Sequence, residues 1–224
     1  MGANTTTMAS NADLSTGFGG PVANWHLHSF LKRADRLADA NMERTMNIFE
    51  DRFTTGQVVA ATGLPNHTLQ SWLKRNLLTG NPIEPIEGGG TSGTHRKFSF
   101  FTVMEIAVAK ALTDAGLSAA DALKAAMHFA HVGRGEIGDR PERCPSLPYP
   151  NAGMAARTLI CVAGDRSAEY RWEVGKDIIP YIRSELGHAF LVLEVDDIFE
   201  RVADVLGYDP VQVTQEAYSK VPAE

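Results

Sequence analysis

The sequence predicts an α+β fold made of two segments with different patterning. From Phe53 to His131, apolar residues recur at three- and four-residue spacing, and capping residues stand where each stripe begins. Beyond residue 152, β-branched runs and strict apolar–polar alternation are interleaved with short helical stripes. Between the two lies a stretch punctuated by Gly133, Gly135, Gly138, Pro141, Pro145, Pro148 and Pro150, which leaves no room for a helix.

Four regions follow from this reading. Residues 1–50 are a flexible N-terminus with one helix expected between Trp25 and Phe49. Residues 51–133 are a helical domain, 134–152 a linker or an ordered surface loop, and 153–224 an acidic α+β module. The first 22 residues are small and polar, with no periodic apolar pattern, and have neither the basic flank nor the apolar centre of a signal peptide. No run of about 18 apolar residues suggests a membrane span.

In the helical domain, Thr54 followed three residues later by Gln57 forms a capping box, and Val58 and Ala61 then lie one turn apart before Gly63 stops the helix. Leu64-Pro65-Asn66 is a turn, with either Pro65 at the first helical position or an Asn66 cap opening the next helix. Leu69, Trp72, Leu73 and Leu77 stripe that helix on one side. Residues 79–93 hold Pro82, Pro85, Gly88, Gly89 and Gly90 and read as a hairpin tip, with His95–Phe98 as the returning strand. Ser99 caps a helix from Phe100 to about Ala115, Gly116 ends it, and Ser118 with Asp121 opens another to about Val132. Leu69, Trp72, Phe98 and Phe101 are expected in the core.

In the second segment, Thr158–Val162 and the alternating Tyr170, Trp172 and Val174 read as strands around a Gly164-Asp165 turn. A short helix over Asp177–Leu186, a strand over Ala189–Val195 and a helix over Asp197–Leu206 complete an order β-β-α-β-α.

Charge is unevenly spread. The net charge is −6, and residues 134–224 hold sixteen acids against ten bases, so the whole deficit lies there. From Arg52 to Lys97, five bases (Arg52, Lys74, Arg75, Arg96, Lys97) stand against Glu84 and Glu87. Screening within about 8–10 Å lets such a local basic face meet phosphates on an acidic protein.

The order Phe53-Thr54-Thr55-Gly56-Gln57-Val58, Thr62-Gly63-Leu64, Thr68-Leu69-Gln70-Ser71-Trp72, Asn76-Leu77-Leu78, Arg96-Lys97-Phe98 and Ala115-Gly116-Leu117-Ser118 resembles the DNA-binding domain of MerR-family regulators. Asn76 stands where the family has a glycine, and asparagine is the commonest replacement at positive φ. Gln70 and Ser71 stand where the family has Arg and Tyr. The resemblance implies a winged helix-turn-helix; this chain departs from the family in a longer wing loop, and the Gly- and Pro-rich stretch 133–150 cannot form the long dimerising helix that follows the domain in typical members.

What the resemblance implies for the site is specific. The second helix would enter the major groove with His67, Gln70 and Ser71 near base edges and Lys74 and Arg75 toward phosphate. The wing would set His95, Arg96 and Lys97 on the backbone, and Thr54 would aim the first amides of its helix at a phosphate. On this reading Arg96→Ala weakens all sequences alike, whereas Gln70→Ala relaxes discrimination by roughly 1–3 kcal/mol. The chain is then a cytoplasmic, nucleoid-associated bacterial regulator whose partner is double-stranded DNA, with a homodimer or cooperative oligomer on DNA and contact with RNA polymerase left open. An architectural phage-type protein (an excisionase or packaging small subunit) and a protein-interaction module with a repurposed winged helix are the alternatives.

Other constellations are weak. His26 and His28 diverge on a helix, Cys144 and Cys161 form no ligand or disulfide framework, and Gly88-Gly89-Gly90 lacks the Gly-Lys-Ser/Thr of a phosphate loop. No nucleophile–base–orienter set is visible, so neither catalysis, a metal nor a cofactor is expected.

Overall fold

Phe53 and Thr54 (β1, Phe53–Thr54) pair antiparallel with Phe98 and Lys97 (β2, Lys97–Phe98), and this short ladder holds together the two ends of the helix pair between them. The computed structural model describes residues 48–78, 85–89, 95–133, 142–150 and 155–219. Of the helix expected between Trp25 and Phe49, only Ile48 and Phe49 are among them, in a turn; the rest lies outside the described residues.

Helix α1 covers Thr55–Thr62. The Thr54 hydroxyl accepts from the Gln57 amide at 3.3 Å, and the Gln57 side-chain oxygen accepts from the Thr54 amide at 2.9 Å. Gly63 then turns left-handed at φ 68°, a conformation that only glycine adopts without strain. Helix α2 covers Asn66–Lys74, with Pro65 one place outside it in extended backbone and no side-chain cap. Asn76 takes φ 53°, the left-handed position that its substitution for glycine foretells.

The next two helices are capped as their sequences require. Ser99 accepts from Thr102 N at the start of α3 (Phe100–Asp114), and Ser118 accepts from Asp121 N at the start of α4 (Ala119–His131). Leu69, Trp72 and Phe98 are buried as expected, while Phe101 is only partly so.

The second segment contains β3 (Ala156–Ala163), β4 (Arg166–Glu173) and β5 (Leu191–Glu194), antiparallel in the order β4-β3-β5. Helix α5 (Ile179–Leu186) carries Pro180 in its first turn, where no amide is needed. Helix α6 (Asp196–Leu206) follows β5, and α7 (Pro210–Ser219) ends the described chain. Helix α7 is not among the elements expected from the sequence. Its signal is the Asp209-Pro210 pair: the Asp209 carboxylate accepts from Val211 N at 2.9 Å, and proline opens the helix.

Strand β3 is buried on both faces, which explains why its apolar run does not alternate. Ile160 and Val162 face the large core built by the helices. Leu159 and Cys161 face a smaller cluster with Ala168, Tyr170, Ile182 and Leu186.

One apolar core passes through both segments. Val195, Ile198, Phe199 and Val202 share it with Val58, Phe100 and Val103. Phe199 meets Phe100 edge-on at 6.4 Å, and Tyr208 meets Phe53 at 6.3 Å. The Tyr208 hydroxyl also donates to the Asp51 carboxylate. The described residues accordingly belong to one compact unit.

The stretch expected to be a linker or surface loop is packed where it is described. In 142–150, Arg143, Ser146, Leu147 and Tyr149 are buried. The reason is the C-terminal end of α4, whose last carbonyls need donors. Ser146 N donates to Phe129 O, Ser146 Oγ to Ala130 O, and Arg143 Nη2 to Val132 O at 2.7 Å. Tyr218 of α7 fastens the other side, donating to Pro148 O and accepting from Cys144 N. Among the described residues, no helix is long and apolar enough to cross a membrane.

Candidate nucleic-acid interface

Helix α2 buries Leu69 and Trp72 and turns two rows of polar side chains outward. One row is Asn66, Gln70 and Lys74; the next is His67, Ser71 and Arg75, each spaced by four residues. All six are exposed except Gln70, which is partly covered. Such a helix offers a face of hydrogen-bonding side chains followed, toward its C-terminus, by two cations.

What covers Gln70 is Arg96. The Arg96 Nη1 donates to Gln70 Oε1 at 3.0 Å, and Gln70 Nε2 donates to Asn66 Oδ1 at 3.2 Å. Arg96 belongs to a hairpin arm formed by residues 85–89 and 95–98, held by reciprocal backbone bonds between Glu87 and Lys97 at 3.0 and 3.1 Å. Arg96 also crosses the arm itself. A Cβ on Gly89 would lie 2.5 Å from Arg96 Nε, so Arg96 packs directly over Gly89, whose φ of 81° favours glycine. The sequence offers no sign of either contact, because 26 residues separate Gln70 from Arg96.

The remaining predicted residues are distributed as follows. Thr54 caps α1 and stands opposite Lys97 in the β1–β2 ladder, so Lys97 is held beside the start of a helix whose first turn carries no acid. His95 is exposed on the arm, and Lys97 is partly covered. Arg52, one of the five bases of this stretch, pairs with Glu87 at 3.3 Å and anchors the arm. The structure thus brings Gln70 and Arg96 together and ties Lys97 to Thr54.

Polar groups are also buried away from this face. His131 Nε2 meets Glu105 at 2.9 Å between α3 and α4, with both side chains buried and His131 Nδ1 without a hydrogen-bond partner among the described residues. Asp196, at the start of α6, accepts from Thr158 N at 2.7 Å, and burial raises its carboxyl pKa to about 6. Burial likewise pushes the Cys161 thiol up to about 12, which keeps it a thiol rather than a thiolate at neutral pH.

Two helices joined by a tight turn, the second presenting a polar face beside a cationic hairpin arm, define a helix-turn-helix DNA-binding domain. Residues 53–126 match the family model described as MerR HTH family regulatory protein. That segment is a MerR-like helix-turn-helix domain, which supports a role in DNA-binding transcription regulation in general terms. No curated protein matches the chain.

Proposed function

We propose that this protein is a sequence-specific, cytoplasmic transcription regulator that lays α2 in the major groove of duplex DNA and its hairpin arm, as a wing, on the sugar-phosphate backbone. The observation that carries the reading is the pair of outward polar rows on α2 with Arg96 bonded onto the same face. In this arrangement His67, Gln70 and Ser71 address base edges, while Lys74, Arg75, His95, Arg96 and Lys97 neutralise phosphates and Thr54 holds the start of α1 against the backbone. Residues 153–224 supply the surface for self-association or for polymerase.

The test is selection of duplexes from a random pool by the full chain, followed by salt titration of the winner. Selection of one motif, with affinity falling steeply as salt rises, is expected. The Lys74→Ala, Arg75→Ala double variant is expected to flatten the log–log slope by about two units, since each phosphate left without its cation removes about 0.9. Binding with no sequence preference, or an unchanged slope, overturns the reading.

One observation favours a second reading. Helix α4 stops at His131 and the chain folds back over its end, so no long helix leaves the domain there. A domain without that helix fits an architectural protein that bends DNA from clustered sites. A bending assay separates it from a regulator acting at a single operator.

A further inference from the structure

The bond between Arg96 and Gln70 has a consequence for recognition that the polar face alone does not carry. We infer that Arg96 is a specificity-determining positioning residue, acting through Gln70, which it fixes in the one orientation that matches adenine. The inference rests on the DNA-binding reading above and deepens it.

A glutamine amide on a free surface can present either of its ends. Here both ends are engaged: Oε1 accepts from Arg96 Nη1, and Nε2 donates to Asn66 Oδ1. Turning the amide over would set an N–H against the guanidinium N–H and an oxygen against Asn66 Oδ1, so neither bond would survive. Each end keeps one further hydrogen-bonding position, an oxygen lone pair and an N–H, side by side. That donor–acceptor pair complements the N7 acceptor and N6 amino group that adenine shows in the major groove.

Arg96 is in turn held from behind. Its side chain passes so close over Gly89 that a methyl group there would sit 2.5 to 2.8 Å from Nε, Cγ and Cζ. Lysine cannot reproduce this arrangement. Its ammonium is a point charge on a flexible stem, without the planar fork that lets one nitrogen reach Gln70 while the others face phosphate. Charge and positioning are therefore separable by one substitution.

The experiment uses the full chain, the duplex it selects, and that duplex with each base pair changed singly. Arg96→Lys, which keeps the charge, is expected to lose discrimination at one A·T pair by about tenfold, over and above any change in affinity that it makes equally for all duplexes. Gln70→Ala is expected to lose it at the same pair, and Arg96→Lys added to Gln70→Ala is expected to change nothing further there. Circular dichroism spectra and melting curves establish that each variant is folded.

If Arg96→Lys discriminates as the parent does, or if the losses in the double variant add, Arg96 is a phosphate contact only and the inference fails while the DNA-binding reading stands. If the parent itself shows no salt-dependent duplex binding, both fail together.

Discussion

Arg143 and Glu169 form a buried ion pair, Nη2 to Oε2 at 2.7 Å, with the two side chains 0% and 4% exposed. Arg143 belongs to the segment that follows α4, and Glu169 to β4. Between them they join the helix-turn-helix domain to the sheet: His128 of α4 reaches the other Glu169 oxygen at 3.2 Å, and the guanidinium lies 4.6 Å from the centre of the Phe129 ring. Further Arg143 bonds go to the carbonyls of Val132, Cys144 and Leu147.

Removing one partner leaves the other charge buried and unmatched. Glu169→Gln and Arg143→Met are each expected to destabilise the protein by about 3–5 kcal/mol, and Arg143→Met with Glu169→Leu to recover part of that loss. Urea unfolding measures this. A single-variant loss under about 1 kcal/mol would show that the pair does not hold the two parts together.

Asp196 gives stability a definite pH dependence. Burial raises its carboxyl pKa to about 6 from an ordinary 3.8, so between these values the folded protein binds more protons than the unfolded chain. Stability from this group is fully present below about pH 4 and is lost as pH rises through 6. Asp196→Asn keeps an acceptor for Thr158 N and does not ionise. Melting temperatures of parent and variant, compared from about pH 4 to 7, are expected to diverge in favour of the variant as pH rises. A constant difference across that range would remove Asp196 as the cause.

Thr54 supplies half of the capping box of α1. Thr54→Ala is expected to cost about 1 kcal/mol, the usual loss for a helix cap, and Thr54→Ser nearly nothing. Chemical denaturation distinguishes the two. Equal losses would mean that the threonine methyl, rather than its hydroxyl, matters.

Asn76 closes α2 at φ 53°. Asn76→Gly is expected to be neutral or slightly stabilising, whereas Asn76→Ala, which brings a Cβ without the local polar group, is expected to cost about 1–2 kcal/mol. Thermal melts of both variants give the comparison, and equal stability of the two would argue that the left-handed backbone is not maintained.

Local signals make much of the helix-turn-helix legible in the sequence. Thr54 with Gln57, Gly63, Ser99, and Ser118 with Asp121 mark helix ends through bonds to backbone groups at most four residues away, so the residues and their spacing suffice. The buried stripe of α2 follows for the same reason. Helix α7 escapes the sequence reading because its apolar periodicity is weak, and Asp209-Pro210 is the one local signal for it.

The polar pairs are not legible, because their partners are distant in sequence. Glu169 sits in an alternating strand and looks like any solvent-facing acid until α4 and Arg143 are laid against that face. Gln70 reads as an independent surface amide until the hairpin arm brings Arg96 over it. Residues 142–150 have the proline content of a linker, and only the unfilled carbonyls at the end of α4 explain why they pack.

The sequence by itself determined where the helices of the DNA-binding segment start and stop and which side of α2 is apolar, since caps and periodicity act within a turn or two of the chain. The tertiary structure alone decided that α6 shares a core with that segment, that Arg143 finds Glu169, and that Arg96 locks Gln70. Those contacts depend on burial and on the meeting of groups separated by 26 or more residues, and no local preference encodes them.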